Sequence, residues 1–223
     1  MSAEKPFILY GAKNSGSVAV EAALTLLGLD FQVVDAAPWG DAGQQDKAKR
    51  YNALGQVPTL VLPGGEVMTE SAAILLWLGD RYPHAGLSPR PEDRRRVAYL
   101  RWMVYVPGAI YWNYTVRDYP ERFVEGEAAQ AQLKAACRER ILANWRAMEE
   151  AVDPAPFVLG HSMSMVDLYV AVVSRWTPRR RVFRQHCPKL AAAVERVDAD
   201  PRLQDLWQRR MPFTPGWDVE EEG

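Results

Sequence analysis

Strands are confined to one end of this chain. Up to Tyr82 short apolar runs alternate with helical stretches, and beyond Tyr82 no run reads as a strand. Phe7–Tyr10 is an apolar run followed by the turn-rich "GAKNSGS", which reads as a buried strand entering a loop. "SVAVEAALTLLG" follows with helical character, and Gly28 terminates it. Further strands are expected at Phe31–Asp35, Thr59–Leu62 and Glu66–Met68, the last two joined by "PGG". A short polar helix is expected near Asp46–Asn52 and an apolar one over Ser71–Tyr82. Strands separated by helices imply parallel neighbours, and the final hairpin adds an antiparallel edge. The expectation over 1–82 is an α/β unit: a small mixed four-stranded sheet with helices on its faces.

"PHAGLSPRPED" then interrupts the pattern with three prolines, so 83–91 reads as a linker. From 92 to 223 the chain reads as an all-α helical bundle. Arg94–Asn113 is expected to be a helix bent at "VPG", because Pro107 lacks an amide donor. Glu127–Val152 places Leu133, Cys137, Ile141, Trp145, Met148 and Val152 along one face. Val166–Trp176 is apolar nearly all round and should be the central buried helix. Ser164 and Asp167 stand three apart at its start, a short-armed capping box worth ~1 kcal/mol and read as structural. Shorter helices are expected at Lys189–Val197 and Arg202–Arg209, the second led by Asp200 and Pro201.

Composition narrows the functional classes. A formal charge of −1 over 223 residues gives no global reason to bind nucleic acid or an anionic membrane. No apolar stretch approaches the ~20 residues that span a bilayer, and "MSAEKPFILYG" lacks the pattern of a signal peptide. Two cysteines, Cys137 and Cys187, suit packing rather than a disulfide framework, so a reducing, cytoplasmic setting is expected. His84, His161 and His186 show no metal-ligand spacing, and no metal is expected. The basic run "RWTPRRRVFRQH" reads as a solvated helix end and loop. "RRR" at Arg94–Arg96 opens a helix, where positive charge is unfavourable, and acidic groups across a subunit interface could offset it.

Two features sit oddly beside the core. Pro58 stands at the mouth of an apolar strand, and Glu70 and Ser71 stand at the start of a strongly apolar helix. Singly, each is ordinary turn or helix-start chemistry. Together, "GQVPTL" (Gly55–Leu60) and "TESAAILLWL" (Thr69–Leu78), after a strand–loop–helix and before an all-helical half, resemble the glutathione-binding core of the glutathione transferase family. The resemblance runs from Phe7 to Phe213. It implies a thioredoxin-like N-terminal domain, a cis bond before Pro58, a homodimer, and glutathione as co-substrate.

On that resemblance each odd residue acquires a task. A cis bond before Pro58 would leave the Val57 amide and carbonyl unpaired by the sheet, so that the cysteinyl backbone of glutathione could dock as an added strand. The Ser71 hydroxyl and helix N-terminus suit the γ-glutamyl carboxylate, and the Glu70 carboxylate suits its ammonium. Gln56 could reach the glycyl end. The thiol would then lie near Ala12–Val20, where a hydroxyl and a helix N-terminus favour the thiolate. Asn14, Ser15 and Ser17 compete for that contact. Ser17 is also a natural helix cap, which makes Ser15 the first choice. The family places a tyrosine, serine or cysteine in this loop, and the absence of a cysteine here argues against disulfide exchange. Tyr10 is an outside candidate or a wall of the site, and Tyr105 and Tyr111 are expected to wall a pocket for a small hydrophobic electrophile. The implied function is conjugation of glutathione to that electrophile, or glutathione-dependent peroxide reduction. The competing reading is a non-catalytic scaffold or protein-interaction module, because one fold hosts many functions.

Overall fold

The computed structural model describes residues 5–176 and 178–212; the acidic end, 218–223, lies outside them. Its elements run β1 (Phe7–Gly11), α1 (Ser17–Leu26), β2 (Phe31–Asp35), α2 (Ala42–Lys49), β3 (Thr59–Val61), β4 (Val67–Met68) and α3 (Ser71–Arg81). The helical part follows as α4 (Arg95–Tyr105), α5 (Trp112–Asp118), α6 (Glu127–Ala151), α7 (Met165–Val173), α8 (Arg179–His186), α9 (Pro188–Asp198) and α10 (Gln204–Arg210).

The four strands form one sheet in the order β2-β1-β3-β4. β1 pairs parallel with β2, with Leu9 opposite Val33, and antiparallel with β3, with Leu9 opposite Leu60. The β2–β3 connection corrects the expectation that helix-linked strands run parallel. α2 has only eight residues and a polar sequence, and it carries the chain around to the far side of β1 in the reverse direction.

Alternation along β1 decides which side chains reach which layer. Phe7 and Leu9 enter the main core with Val18 and Ala22 of α1 and Ile74, Leu75 and Leu78 of α3. Ile8 and Tyr10 point the other way, toward Ala36 and Ala48 under α2. The main core continues without a break into the helical part, where all nine residues of α7 are buried. Each fully buried Leu, Ile or Val contributes roughly 1.5–3 kcal/mol. α7 starts where the sequence places it: the Asp167 carboxylate accepts from the Ser164 amide at 2.8 Å and the Ser164 hydroxyl at 2.7 Å. Its second oxygen accepts from the Val158 amide at 2.8 Å, which ties the preceding loop to the cap.

The irregularity expected at "VPG" takes a particular form: Val106–Tyr111 widens into a π-helical stretch between α4 and α5. A wider turn tolerates the missing amide donor and shifts the face that Tyr111 presents. Two arginines of the "RRR" run are paired within their own chain, Arg96 with Asp80 at 2.6 Å and Arg95 with Asp93 at 2.6 Å. The basic run after Val173 is solvated only in part: Arg181 and Arg184 are exposed. Arg175 and Arg180 are 3% and 5% exposed and clamp the two oxygens of Asp198, each at 2.7 Å.

Candidate functional site

A groove of about 760 Å³ lies between the sheet edge and the helical part. Ser15, Val57, Glu70 and Ser71 from the first part line it, as do Tyr111 and Trp176 from the second.

The loop before β3 forms the first wall. The Val57–Pro58 bond is cis. Val57 is half-buried, and neither its amide nor its carbonyl has a hydrogen-bond partner among the described residues. That is an open main-chain edge of the kind an extended peptide can join. Gln56 and Lys49 border the groove beside it. Asn52 fixes this loop by donating its amide to the Gln56 carbonyl at 3.1 Å.

The start of α3 forms the second wall. Glu70 is exposed and sits at φ 64°, a left-handed conformation uncommon for a side chain of its size. Strain of this kind costs of order 1–3 kcal/mol and gathers at ligand sites. The twist lifts the Glu70 carboxylate to the groove while its carbonyl still accepts the first helical bond from Ile74 at 3.0 Å. The Ser71 hydroxyl lies 2.7 Å from the Tyr169 hydroxyl of α7. Burial raises the Tyr169 pKa, so the phenol stays protonated and can hold the serine oxygen in place.

The loop entering α1 forms the third wall. Ser15 and Ser17 are 4% and 0% exposed, and their hydroxyls lie 2.7 Å apart. The Ser15 hydroxyl also donates to the Ala12 carbonyl at 2.8 Å and accepts from the Ser17 amide at 3.2 Å. Ser17 Oγ accepts from the Ala12 amide at 3.0 Å and lies 3.2 Å from the same carbonyl. Ser15 lines the groove, whereas Ser17 sits behind it at the first position of α1. Gly16, with no capping side chain of its own, occupies the cap. Ser17 is therefore neither the cap nor a groove wall; it braces Ser15 and the Ala12 peptide. Asn14 is exposed, at φ 57°, and is held through its backbone by the Arg210 carbonyl at 3.1 Å and the Trp176 indole at 3.0 Å.

The helical part closes the fourth side. Tyr111 packs against the N-terminus of α1 so tightly that a Cβ on Gly16 would stand 2.9 Å from the phenol oxygen. Burial pushes the Tyr111 hydroxyl up to about 12, against an opposing hydrogen bond from Gly16. Trp176 meets Tyr111 edge-on at 4.9 Å and Tyr114 at 5.2 Å.

Two expected wall residues lie elsewhere. Tyr10 follows the β1 alternation to the α2 face and packs on Tyr51 at 5.2 Å. Tyr105 precedes the π-helical stretch and donates its hydroxyl to the Asn144 carbonyl at 2.9 Å, away from the groove. The sequence reading missed Tyr169, Trp176 and Arg179. A lone aromatic ring in the buried helix "MVDLYVAVV" was the available signal for the first.

Residues 17–81 match the family model described as "Glutathione S-transferase, N-terminal domain". A relative in Escherichia coli strain K12, the uncharacterized GST-like protein YncG, is 30% identical over 202 residues, which cover 90% of this chain and 97% of the relative. The chain belongs to the glutathione transferase family. Glutathione S-transferase Z2 of Arabidopsis thaliana is 27% identical over 91% of both chains. Among solved structures, a Sulfitobacter glutathione transferase homolog crystallised with bound glutathione superposes with a TM-score of 0.81. It is 22% identical and covers 93% of this chain and 99% of its own. The four-stranded mixed sheet followed by helices is thus the glutathione transferase fold.

Proposed function

We propose that this chain binds glutathione and transfers its thiolate to small electrophiles. One observation carries the reading: an unpaired Val57 peptide, the Glu70–Ser71 couple and the Ser15 hydroxyl all open into one groove. A cysteinyl backbone laid against Val57 gains the two hydrogen bonds that the sheet leaves free. The γ-glutamyl head then meets Glu70 through its ammonium and Ser71 through its carboxylate. The glycyl carboxylate falls toward Gln56 and the Lys49 ammonium. At the other end the thiol reaches Ser15 at the mouth of α1, where a hydroxyl donor and helix amides lower its pKa from ~8.5. The thiolate attacks an electrophilic carbon held against Tyr111 and Trp176, forming the S–C bond as the leaving group departs with its bonding pair.

Glutathione should raise the melting temperature of the wild-type protein. A ligand that binds only the folded state adds about 2.7 kcal/mol at a hundred times its Kd. Ser71→Ala removes a carboxylate partner and orphans the Tyr169 hydroxyl; its Kd for glutathione should weaken about tenfold, the cost of one charge-assisted hydrogen bond. No thermal shift at millimolar glutathione would favour the scaffold reading instead.

We also infer that two copies associate. Val97, Leu100 and Val104 recur on one face of α4 and are 79%, 40% and 64% exposed. An apolar stripe of this kind marks an interaction surface. Val104→Glu should convert a dimer to a monomer in sedimentation; a wild-type protein already monomeric at micromolar concentration would rule the inference out.

A further inference from the structure

The helical wall of the groove is cationic rather than purely apolar. Arg117, Arg122 and Arg179 line it against one carboxylate, Asp118. Arg117 spends its charge on that carboxylate, donating to Asp118 Oδ1 at 2.9 and 2.7 Å. Arg122 and Arg179 have no carboxylate partner among the described residues. Arg122 is held with its guanidinium 4.0 Å over the Tyr119 ring, a contact that orients the charge without neutralising it. Arg179 is half-buried at the start of α8 and sits at φ 71°. Positive φ costs an arginine of order 1 kcal/mol. A half-buried, unpaired guanidinium adds a desolvation cost. Among the described residues nothing in the packing requires a cation there, since the neighbouring Arg175 and Arg180 already take both oxygens of Asp198.

The order of groups across the groove is informative. The Ser15 loop is joined to Trp176 by the indole bond to the Asn14 carbonyl at 3.0 Å. Trp176 carries Tyr111 and Tyr114 on its edges. Its carbonyl accepts from the Arg179 amide at 2.7 Å, which sets Arg179 one turn beyond the rings. A flat molecule stacked on these rings would thus have one end toward the thiol and the other toward Arg179. Both carboxylates of glutathione have partners elsewhere, at Ser71 and at Lys49 with Gln56, so the two arginines are left for the second substrate.

We propose that the electrophile subsite takes a small, flat electrophile bearing a carboxylate, paired with Arg179 and assisted by Arg122. The inference rests on the glutathione reading for the identity of the first substrate, but the carboxylate preference can be measured without it. The apolar body expected from the sequence is retained; a negative charge is added at its far end.

The test uses two inert probes of equal shape, 3-nitrobenzoate and 3-nitrobenzamide. Their binding to the full chain is measured by calorimetry, with and without S-methylglutathione. The benzoate should bind about tenfold more tightly, the value of one charge-assisted hydrogen bond. Arg179→Gln should reduce the preference to within about twofold, by loss of that bond. Arg122→Gln, an exposed change that leaves folding intact, should reduce it in part. Equal binding of the two probes overturns the proposal, as does failure of both to bind or a preference that survives both substitutions. A wild-type protein that prefers the benzoate but shows no thermal shift with glutathione would sink the glutathione reading and leave this one standing.

Discussion

Arg210→Met should cost about 3–5 kcal/mol of folding stability, the penalty for removing one partner of a buried ion pair. Arg210 is 5% exposed on α10, and its Nε lies 2.8 Å from Glu21 Oε2 on α1, where both side chains are almost fully buried. Its Nη1 reaches out to Asp35 at the end of β2 at 2.9 Å. One guanidinium therefore ties the last described helix to the first helix and the second strand. Without it the Glu21 carboxylate is left in the core without its ion-pair partner.

The same substitution carries a pH signature. Burial holds the Glu21 pKa above its ordinary value even with Arg210 present. A carboxyl whose folded pKa is raised binds its proton more tightly in the fold than in the unfolded chain, so its effect favours folding at low pH and is lost as pH rises. In Arg210→Met the lowering influence of the guanidinium is gone, and the folded pKa rises further. Lowering the pH from 7 toward 5 should therefore recover stability in the variant and much less in the wild type. Adding Glu21→Gln to Arg210→Met should also restore part of the loss, because the two changes are coupled. Urea titrations of the single and double variants at both pH values measure all three quantities. A loss below 1 kcal/mol, or a double variant as unstable as the sum of the singles, would show that the pair does not hold α10 to α1.

Local signals in the sequence carried most of the fold. The Ser164–Asp167 spacing located the start of α7, the Asp200–Pro201 pair located the last turn of structure before α10, and the alternation of apolar runs placed all four strands. What failed was long-range or depended on one local widening. The β1–β3 pairing runs antiparallel because of where the chain returns, which no window around α2 reports. Tyr10 was misplaced although the information was at hand: with Phe7 and Leu9 in the core, period two sends Tyr10 to the opposite face. Tyr105 and Tyr111 were read as equivalent, and the π-helical stretch between them separated their fates. Glu70, Ser71, Val57 and Ser15, which the structure brings to one groove, were singled out by the family resemblance, since each taken singly is ordinary turn or helix-start chemistry. Tyr169 and Trp176 lie outside the motifs that carry it, and they reach the groove only through contacts 98 and 162 residues away in sequence. Buried arginines misled the charge reading, because a run of basic residues looks the same in sequence whether water or Asp198 satisfies it.

If the groove takes glutathione as proposed, the Ser15–Ser17 hydroxyl pair makes the sharpest statement about its chemistry. Ser15 and Ser17 have two protons between them, and within the chain those protons have one shared carbonyl, Ala12, and each other as acceptors. With the groove empty, Ser15 donates to Ala12. When a thiolate arrives, Ser15 can turn its proton to the sulfur only if the carbonyl is served by another donor, and Ser17 stands 3.2 Å away to do so. On the proposed function Ser17 would act as a positioning residue through Ser15. Ser15→Ala removes the only one of the two hydroxyls that lines the groove. The pKa of the bound thiol should rise by about 1–2 units, the scale set by losing a hydrogen bond to the charged form. At pH 6.5 the thiolate fraction, and kcat/KM with it, should fall about 10- to 100-fold. Ser17→Ala should raise the thiol pKa by less, because the donor remains but must leave the Ala12 carbonyl unpaired to act. Ultraviolet difference absorbance of the bound thiolate against pH gives the pKa in each variant. The order wild type, Ser17→Ala, Ser15→Ala is the result that supports the relay. A thiol pKa unchanged in Ser15→Ala would remove Ser15 from the chemistry and leave the Tyr111 phenol, packed on Gly16 at the mouth of the same helix, as the group to test next.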